Sequence, residues 1–363
     1  MNERTVGVEE EFLLLRRAGT ELAARGEAVV DAANDADEDA QFEHELKRAQ
    51  AELASAPTDS LASLAADLST LRGELAQAGA THGVRLVPSG TSPVLGTAPT
   101  TASHRYHEMT ERFGVVARQQ VTCGMHIHVS VDTEAEGVHV LNGVGAWLPV
   151  LTALSTNSPF HGGQDTGYAS YRSILWGQWP SAGPTAPFAD HASYERLCED
   201  LVATGAARDL GMMYFDARLS ARYPTVELRI CDVCPRVEDA VAIAGLARAL
   251  VHSAAGSKPA PVRAELRRAA AWRAHRWGMT GELVDIRSSD GRPELVPAWE
   301  LVDRLLEWVA PALDGAGDTT TVRNALSAIR RRGTGATLQR SVYAESGDFA
   351  AVVEALAVDA HRS

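Results

Sequence analysis

The sequence predicts a mixed α+β protein, with a sheet built from segments that lie far apart in the chain. Three segments, 5–15, 121–131 and 225–233, alternate between apolar and polar residues as half-buried strands do. The stretches between and after them place apolar residues three and four positions apart, which is typical of amphipathic helices. Distant strands separated by helices favour an α+β domain over a regular alternation of strand and helix.

Length and composition exclude several classes of protein. The 363 residues suffice for one large domain or two ordinary ones, since domains commonly have about 100–200 residues. With 45% hydrophobic and 22% charged residues, the chain has a globular rather than a disordered composition. The formal net charge of −13 argues against non-specific binding to nucleic acid or to an anionic membrane. No apolar run approaches the roughly 20 residues of a membrane helix.

Cysteine usage and the start of the chain favour a cytoplasmic protein. Four cysteines are too few for the disulfide framework of a secreted protein in a chain this long. The first residues lack the basic-then-apolar order of a secretory signal. Cys231 and Cys234 form a Cys-x-x-Cys pair, but a structural zinc site usually needs a second pair, which the sequence does not contain. We therefore interpret both thiols as core residues.

One helix has a clear start and a candidate end. Leucines recur every three or four residues between Leu61 and Leu75. Asp59 or Ser60 could cap its first turn, and Gly79 could end it. Further helices are predicted at 136–155, 193–204, 237–255, 262–276, 298–313, 318–332 and 347–360.

Two segments are predicted to be loops. The stretches 87–104 and 157–190 are rich in Gly, Pro, Ser and Thr. A structureless loop as long as the second is usually a lid or a binding loop, or else disordered. We therefore expect 157–190 to close over a site.

The first strand places two glutamates on one face. Successive strand side chains point to opposite faces, so Glu9 and Glu11 lie on the same side, about 7 Å apart. Glu10 lies on the other side with the apolar residues. Two such carboxylates repel each other unless they are solvated or bridged by cations. The pair indicates either a solvated edge strand or a cation site.

The second strand carries a His-x-His pair opposite an apolar face. His126 and His128 share a face, and Gly124 on that face leaves room for another group to approach the backbone. Histidines in this arrangement are common metal ligands. Two structural, hydrogen-bonded histidines are the alternative.

The third strand repeats the arrangement with opposite charges. By alternation Glu227, Arg229 and Cys231 face one way, while Asp232 faces the other. Glu227 and Arg229 could bridge to each other. In the functional alternative Glu227 holds a metal and Arg229, with its planar fork, binds a phosphate or carboxylate.

An acidic segment at 42–53 offers Glu43, Glu45 and Glu52, but spacing alone does not fix its structure. On a helix, Glu45 and Glu52 would share a face two turns apart. On one uninterrupted strand they would not. A solvated helix face is the favoured interpretation.

These residues together favour a carboxylate-rich metal site that works on phosphates. Oxygen ligands favour Mg²⁺ or Mn²⁺ over Zn²⁺, and Mg²⁺ commonly completes its shell with water and nucleotide phosphates. Arg222 and Arg229 could neutralise charge on a transferring phosphoryl group. Neither a P-loop nor a Gly-x-Gly-x-x-Gly motif after a strand is present. The alternative function is a zinc-dependent hydrolase that uses His126, His128 and a carboxylate.

The same residues resemble the glutamate–cysteine ligase type 2 family, also known as YbdK-like carboxylate–amine ligases. Five stretches carry the resemblance in the order of the family, over about 9–285. They are GVEEEFLL at 7–14, the acidic segment at 45–52, TCGMHIHV at 122–129, ARYPTVELRICD at 221–232 and WRAHRWGMTGELVD at 272–285.

The resemblance implies a fold, a reaction and its cofactors. The fold is glutamine-synthetase-like, with a curved, largely antiparallel sheet that carries the active site and helices packed on its outer face. Residues 1–363 would form a single ligase domain. The implied reaction is ATP-dependent amide formation with Mg²⁺, and Mn²⁺ is an alternative. The γ-carboxylate of glutamate would become an acyl phosphate, and an amine such as cysteine would displace the phosphate.

The resemblance also implies roles for particular residues. Arg276 lies in a matching stretch without an assigned role. The implied metal ligands are Glu9, Glu11, Glu45, Glu52, His126 and Glu227. ATP would contact Arg229, His126 and His128, while Arg229 and Arg222 would act on the transferring group, and Arg172 and Arg222 would bind substrate.

The expected partners are small molecules, a glutamate-like carboxylate and an amine. The sequence does not identify the amine. The apolar helices would permit a homodimer, although a monomer with a large core would use them equally well.

Overall fold

The computed structural model describes residues 4–36, 41–94, 96–260, 262–287 and 292–358. Within these residues the strands are β1 (Val6–Arg16), β2 (Gln41–His44), β3 (Gln50–Ala54), β4 (Val84–Val87), β5 (Gly124–Ser130), β6 (Phe160–His161), β7 (Gln164–Asp165), β8 (Ala217–Leu219), β9 (Thr225–Asp232), β10 (Glu282–Asp285) and β11 (Glu294–Pro297). The α-helices are α1 (Gly26–Ala36), α2 (Leu61–Thr81), α3 (His104–Phe113), α4 (Val115–Gln119), α5 (Glu134–Val144), α6 (Leu148–Ser155), α7 (Tyr171–Trp176), α8 (His191–Ala203), α9 (Val237–Ala255), α10 (Ala264–Trp277), α11 (Ala298–Gly315), α12 (Thr319–Arg332), α13 (Gly335–Ser346) and α14 (Phe349–Leu356).

The main sheet joins the three predicted strands, as expected. Its strand order is β2-β3-β1-β5-β9-β8, and β4 also pairs with β1. All of these pairs are antiparallel. The three strands that sequence alternation predicts lie side by side as β1, β5 and β9, so their polar faces form one continuous surface.

The opposite face of the sheet packs on helices. Val8, Phe12, Ile127 and Leu228 are buried there in one large hydrophobic core. Glu10 shares this face and is neutralised by Arg72 of α2, whose Nε lies 2.7 Å from Glu10 Oε2. The alternation of β1 therefore separates Glu10 from the two glutamates on the polar face, as predicted.

Helix α2 confirms the predicted start but not the predicted end. The Ser60 side chain accepts a hydrogen bond from the Ser63 backbone, so Ser60 is the cap. The helix continues past Gly79 to Thr81. A Cβ atom at Gly79 would lie 3.3 Å from the Val84 side chain. The glycine therefore permits close packing of β4 instead of ending the helix.

The predicted helix 136–155 is divided into α5 and α6. Pro149 stands in the first turn of α6, and the Arg267 guanidinium packs against Gly145 between the two helices. No single described helix is long and apolar enough to cross a membrane; by length and composition alone only α5 and α6 together would suffice, and they are bent by 70°.

The other predicted helices form within a few residues of their expected bounds. Helix α14 covers most of the described part of 347–360, and residues 359 and 360 lie outside the described ranges. The segment 157–190 is not structureless, because it contains β6, β7 and α7. Helices α1, α3, α4, α7 and α13 were not predicted.

The acidic segment forms a hairpin and not a helix, so the favoured interpretation was wrong. Strands β2 and β3 pair Phe42 with Leu53 and Glu43 with Glu52, and β3 in turn pairs with β1. Phe42 and Leu53 are both buried in the core. Burial of this apolar pair on the sheet outweighs the helical spacing of the glutamates.

A bulge in β9 corrects the predicted faces of its last residues. Leu228 pairs with Ile127, but Cys231 rather than Ile230 pairs with Met125. The extra residue reverses the alternation, so Cys231 lies on the helix-packed face and Asp232 faces the polar side opposite Gly124.

Candidate active site

A deep cavity of about 450 Å³ lies over the polar face of the sheet, and we call it the acidic cavity. Strands β1, β3, β5, β8 and β9 form its floor. Its carboxylates are Glu9, Glu11, Glu43, Glu45, Glu52 and Glu227, and its arginines are Arg105, Arg218, Arg222 and Arg229.

The pairing of β1 with β5 brings the predicted glutamates and histidines together. Glu9 lies opposite His126, and its carboxylate is 3.1 Å from His126 Nδ1 and 3.2 Å from His128 Nε2. Burial opposes ionisation of Glu9, but its close interactions with the two histidines outweigh burial and hold its pKa well below the usual range. Burial lowers the pKa of His126, with the nearby Arg229 acting in the same direction. We therefore expect an ionised Glu9 beside a neutral imidazole.

Three of these residues form a cluster suited to a divalent cation. Ligand atoms of Glu9, His126 and Glu227 lie within 4.8 Å of one another. His126 Nε2 is buried and makes no hydrogen bond to any part of the chain that the structure describes. The carboxylate oxygen Glu11 Oε1 lies 3.8 Å from this nitrogen, beyond hydrogen-bond distance. A buried imidazole nitrogen without a hydrogen bond, surrounded by carboxylates, fits a metal ligand better than a packing residue. This supports the metal interpretation of the His-x-His strand.

Crowded carboxylates on β1 and β3 support the same conclusion. Glu11 and Glu52 are paired across the two strands, and Glu45 lies beside them. Burial, and then repulsion from Glu45 and Glu9, raise the pKa of Glu52 well above its usual range. Burial and repulsion from Glu45 likewise raise the pKa of Glu11. Such a group is stabilised either by taking up protons or by binding divalent cations.

Glu227 is held between two arginines. Its carboxylate accepts hydrogen bonds from Arg218, at 2.7 Å to Nε and 3.1 Å to Nη2, and from Arg229. Burial opposes ionisation of Glu227, but the two arginines outweigh it and lower its pKa. The bridge between Glu227 and Arg229 that alternation allowed is therefore present. Arg218 was not predicted, because it lies on β8, which has only three residues.

The remaining sequence-predicted arginines occupy different positions. Arg222 lies at the rim of the acidic cavity, where its side chain is 72% exposed and ion-paired with Glu43 at 3.3 Å. Its contact with a phosphoryl group stays a prediction. Arg276 packs over the rings of Tyr168 and Trp277, outside the acidic cavity.

A second cavity of about 290 Å³ adjoins the first, and we call it the arginine cavity. The two share Trp176, Tyr214 and Arg229, and Arg229 lies over both aromatic rings. The charged residues that line the arginine cavity are Arg172, Arg229, Arg268 and Asp216.

Arg172 is buried in the arginine cavity, and no carboxylate among the described residues lies within ion-pair distance of it. Only 2% of its surface is exposed, and Nη2 donates a hydrogen bond to the Arg229 carbonyl at 3.2 Å. Nε has no hydrogen-bond partner among the residues that the structure describes. Gly124 makes this position possible, since a Cβ there would lie 2.2 Å from Arg172 Nη2. A buried, unneutralised guanidinium is costly unless an anion binds it.

Asp216 is the acidic group of the arginine cavity. Burial raises its pKa to about 7, against the opposing effect of Arg267, Arg172 and Arg268. The cavity therefore combines the guanidinium groups of Arg172 and Arg268, which form no ion pair within the described ranges, with one carboxyl group that titrates near neutral pH.

The four cysteines are free and buried, as expected for core residues. Burial raises the pKa of Cys231 to about 12. No group of metal-ligand side chains in the described ranges includes Cys231 or Cys234.

Sequence comparison assigns the family. The model of glutamate–cysteine ligase family 2 matches residues 5–355. The chain belongs to glutamate–cysteine ligase family 2. A relative from Frankia alni, provisionally named glutamate–cysteine ligase 2-2, is 46% identical over 97% of this chain and 95% of its own length. Another from Streptomyces coelicolor, provisionally named glutamate–cysteine ligase 2, is 44% identical over 97% of this chain and 98% of its own.

Solved structures show the same fold at low sequence identity. The glutamate–cysteine ligase of Francisella tularensis in complex with AMP matches with a TM-score of 0.69 at 13% identity, over 98% of this chain and 88% of that one. A bifunctional glutathione synthetase from Pasteurella multocida matches with a TM-score of 0.68 at 14% identity, over 97% of this chain and 51% of that one. The predicted fold class is confirmed.

Family membership confirms that the protein is an ATP-dependent carboxylate–amine ligase. Around the motifs that identified the family, the two cavities are lined by further polar and aromatic residues that sequence reasoning missed. They include Arg105 of α3, Arg218 of β8, Asp216 in the turn before it, Arg268 of α10 and the shared wall residues Trp176 and Tyr214. None lies in an alternating strand long enough to be recognised.

Proposed function

We propose that the ligase uses ATP to activate the γ-carboxylate of glutamate as an acyl phosphate and joins it to an amine such as cysteine. ADP and phosphate are the other products, and residues 1–363 act as one ligase domain. The observation that carries the proposal is the cluster of Glu9, His126 and Glu227 in a cavity of crowded carboxylates. Such a site suits divalent cations that neutralise nucleotide phosphates.

The acidic cavity is the proposed site of ATP and Mg²⁺, with Mn²⁺ as an alternative. Bound Mg²⁺ would neutralise charge on the phosphates during transfer. Arg229 would stabilise the transferring group, and Arg222, exposed at the rim, would add a small electrostatic contribution. His126 and His128 are the further proposed nucleotide contacts. The proposed metal ligands are Glu9, Glu11, Glu45, Glu52, His126 and Glu227.

The arginine cavity is the proposed site of the carboxylate substrate. Arg172 is buried and unpaired there, so it can bind an anionic group without first breaking an ion pair. Arg268 lies in the same wall. Because Arg229 lines both cavities, a dicarboxylate held by Arg172 could present its other carboxylate towards the nucleotide.

The two chemical steps balance with these groups alone. An oxygen of the γ-carboxylate attacks the γ-phosphorus of ATP, the bond to the β-phosphate oxygen breaks, and ADP leaves. The amine nitrogen then attacks the acyl carbon and gives up a proton to solvent, the bond from that carbon to the phosphate oxygen breaks, and inorganic phosphate departs. Trp176 and Tyr214 pack around Arg229 between the cavities, where they would limit hydrolysis of the acyl phosphate by water.

The test is a screen of amines with ATP, Mg²⁺ and glutamate held constant. ADP release is measured across amino acids and polyamines, and hydroxylamine is added separately to trap an acyl phosphate as the hydroxamate. We expect ADP release that depends on both glutamate and an amine. Silence with every amine and with hydroxylamine would exclude the proposed reaction. Elemental analysis of the same sample addresses the zinc hydrolase, which requires stoichiometric zinc and no nucleotide.

A further inference from the structure

One buried carboxylate, Asp232 at the end of β9, is 1% exposed and lines neither cavity. Burial raises the pKa of the Asp232 carboxyl, and the positive charge of nearby Arg172 opposes this rise. No basic side chain in the described part of the chain lies within ion-pair distance of Asp232, unlike the buried Glu10 and Glu227. Its three hydrogen-bond donors instead come from two loop positions in the chain.

Those donors surround the start of α7, the helix that carries Arg172. Asp232 Oδ2 accepts hydrogen bonds from the Asn157 backbone N–H at 2.8 Å and the Ser158 hydroxyl at 2.7 Å. Oδ1 accepts one from the Ser170 hydroxyl at 2.8 Å. Ser170 is the residue immediately before α7. One carboxylate thus ties two segments of 157–190 to the main sheet.

The connection continues to Arg172 itself. The Ser158 hydroxyl accepts a hydrogen bond from the Arg172 backbone N–H at 3.0 Å, and the Ser158 carbonyl accepts one from Tyr171 at 3.0 Å. At the far end of the side chain, Arg172 packs on Gly124, the residue that pairs with Asp232 across β5 and β9. The backbone of Arg172 is therefore held through Ser158, which bonds to Asp232, and its guanidinium packs on Gly124, which pairs with Asp232.

The bulge in β9 is what makes this arrangement possible. Without the extra residue, Asp232 would follow the alternation of Leu228 and point into the helix-packed core. With it, Asp232 faces the polar side. A Cβ at Gly90 would lie 3.0 Å from the Asp232 carboxyl carbon, so little space remains for another group.

We propose that Asp232 is a positioning residue that acts through Ser158 and Ser170 to hold the Arg172 guanidinium unpaired and ready for the carboxylate substrate. The proposal rests on the function proposed above for the arginine cavity. Asp232 itself touches no substrate. It fixes the first turn of α7 so that Arg172 does not need to be ordered by the ligand, which lowers the entropic cost of binding.

The first measurement does not depend on catalysis. Hydrogen–deuterium exchange of peptides covering 158–176 is compared in the wild type, Asp232→Asn and Ser158→Ala. Both variants lose charge-assisted bonds to the start of α7, so we expect amide exchange in this segment to be about tenfold faster. Unchanged exchange in both variants would overturn the proposal. The matched control is Ser55→Ala, a buried serine whose hydroxyl bonds to the backbone of Val8 and Ala56.

The second measurement separates positioning from general destabilisation. We expect Asp232→Asn and Ser158→Ala to raise the KM for glutamate about tenfold and to change the KM for MgATP less than about twofold. A merely structural role would lower Tm and kcat without this split. Asp239→Asn is the control for a buried aspartate, since Asp239 pairs with Arg332. Equal rises in both KM values would overturn the proposal.

Two further variants guard against failure to fold and against indirect effects. In Gly124→Ala the added methyl group would displace the Arg172 guanidinium directly. We again expect a higher KM for glutamate and little change in the KM for MgATP. In an Arg172→Lys background, Asp232→Asn should add less than about a twofold further rise, because its effect passes through Arg172. If Asp232→Asn raised the KM for glutamate by the same factor in both backgrounds, its effect would not pass through Arg172 and the proposal would be contradicted. If the wild type shows no glutamate-dependent turnover, the proposed function fails, and the exchange experiment still decides whether Asp232 holds α7.

Discussion

The acidic cavity and the arginine cavity share a wall but are built from different kinds of structure. The acidic cavity takes most of its carboxylates and histidines from alternate positions of β1, β3, β5 and β9. The arginine cavity takes its charges from α7, from the turn before β8 and from α10, with Arg229 of β9 as the one charge from a long strand. Side chains on adjacent strands have a fixed spacing, which suits the strict geometry of metal ions. Side chains from helices and turns can converge from several directions around a small organic substrate.

The two cavities have opposite net charges. Six glutamates line the acidic cavity against four arginines, whereas three arginines line the arginine cavity against Asp216. Crowded carboxylates are stabilised by cations, and unpaired guanidinium groups by anions. From this difference we infer that the metal-bound nucleotide would bind in the acidic cavity and the carboxylate substrate in the arginine cavity. Arg229, in the wall that they share, would contact both.

The largest expected effect tests the metal side of this comparison. Glu9→Gln keeps the shape of the side chain but removes the negative charge that Glu9 contributes to the cluster with His126 and Glu227. We expect kcat for ADP release to fall about 10³-fold, as for other losses of transition-state charge stabilisation. Binding of Mn²⁺, followed by electron paramagnetic resonance, should weaken in parallel. Glu307→Gln, at an exposed position on α11, is the control. Full activity in Glu9→Gln would show that Glu9 is not one of the proposed metal ligands.

A smaller effect, about 100-fold, is expected on the substrate side. Arg172→Lys keeps the charge but loses the planar fork that binds a carboxylate through two hydrogen bonds. We expect the KM for glutamate to rise by this factor and the KM for MgATP to stay within about twofold. Steady-state kinetics with each substrate varied in turn makes the measurement. A rise in the KM for MgATP alone would show that Arg172 serves the nucleotide and would break the division between the cavities.

Asp216 allows a pH-dependent test of the arginine cavity, in which we expect the KM for glutamate to change about tenfold. Its pKa is raised to about 7, so it is ionised only above that pH and can then bind the α-ammonium group of glutamate. The KM for glutamate should therefore fall as the pH rises through 7. Burial lowers the pKa of His275 to about 3, so His275 stays neutral and does not cause this step.

Glutarate, which lacks the α-amino group, is the matched control for Asp216. Its KM should show no step near pH 7 in the wild type. In Asp216→Asn the preference for glutamate over glutarate should shrink about tenfold, and the pH step should vanish. A variant that keeps both the preference and the step would show that Asp216 does not contact the substrate amine.

The acidic cavity was largely predictable from sequence, for a physical reason. A strand with one buried face must alternate, so Glu9, Glu11, His126, His128 and Glu227 could each be assigned a face without knowledge of the register. The order of the motifs along the chain then indicated the family, which brought the strands together. The acidic segment was misassigned because Glu45 and Glu52 have a helical spacing, whereas pairing with β1 decides its structure.

The arginine cavity could not be predicted in the same way. A single extra residue in β9 reverses the faces on which Cys231 and Asp232 lie. The residue types in this strand do not predict the bulge. Arg218 lies on a strand too short to show alternation, and Asp216 precedes it in a turn. Arg172 was assigned to substrate binding only by family resemblance. Its burial without a carboxylate partner among the described residues became visible only when α7 was placed on the sheet.

The smallest expected effect concerns the rim of the acidic cavity, and it sharpens the contrast between exposed and buried arginines. Arg222 is largely exposed and pairs with Glu43 at 3.3 Å, whereas Arg229 is buried between Glu227 and two aromatic rings. Exposed ion pairs contribute about 0–1 kcal/mol, so Arg222→Ala should change kcat/KM for MgATP less than about fivefold. Stopped assays of ADP release at low MgATP measure this ratio. A loss of 100-fold or more would mean that Arg222 folds inward onto the phosphates during turnover, and the rim would then belong to the catalytic part of the acidic cavity.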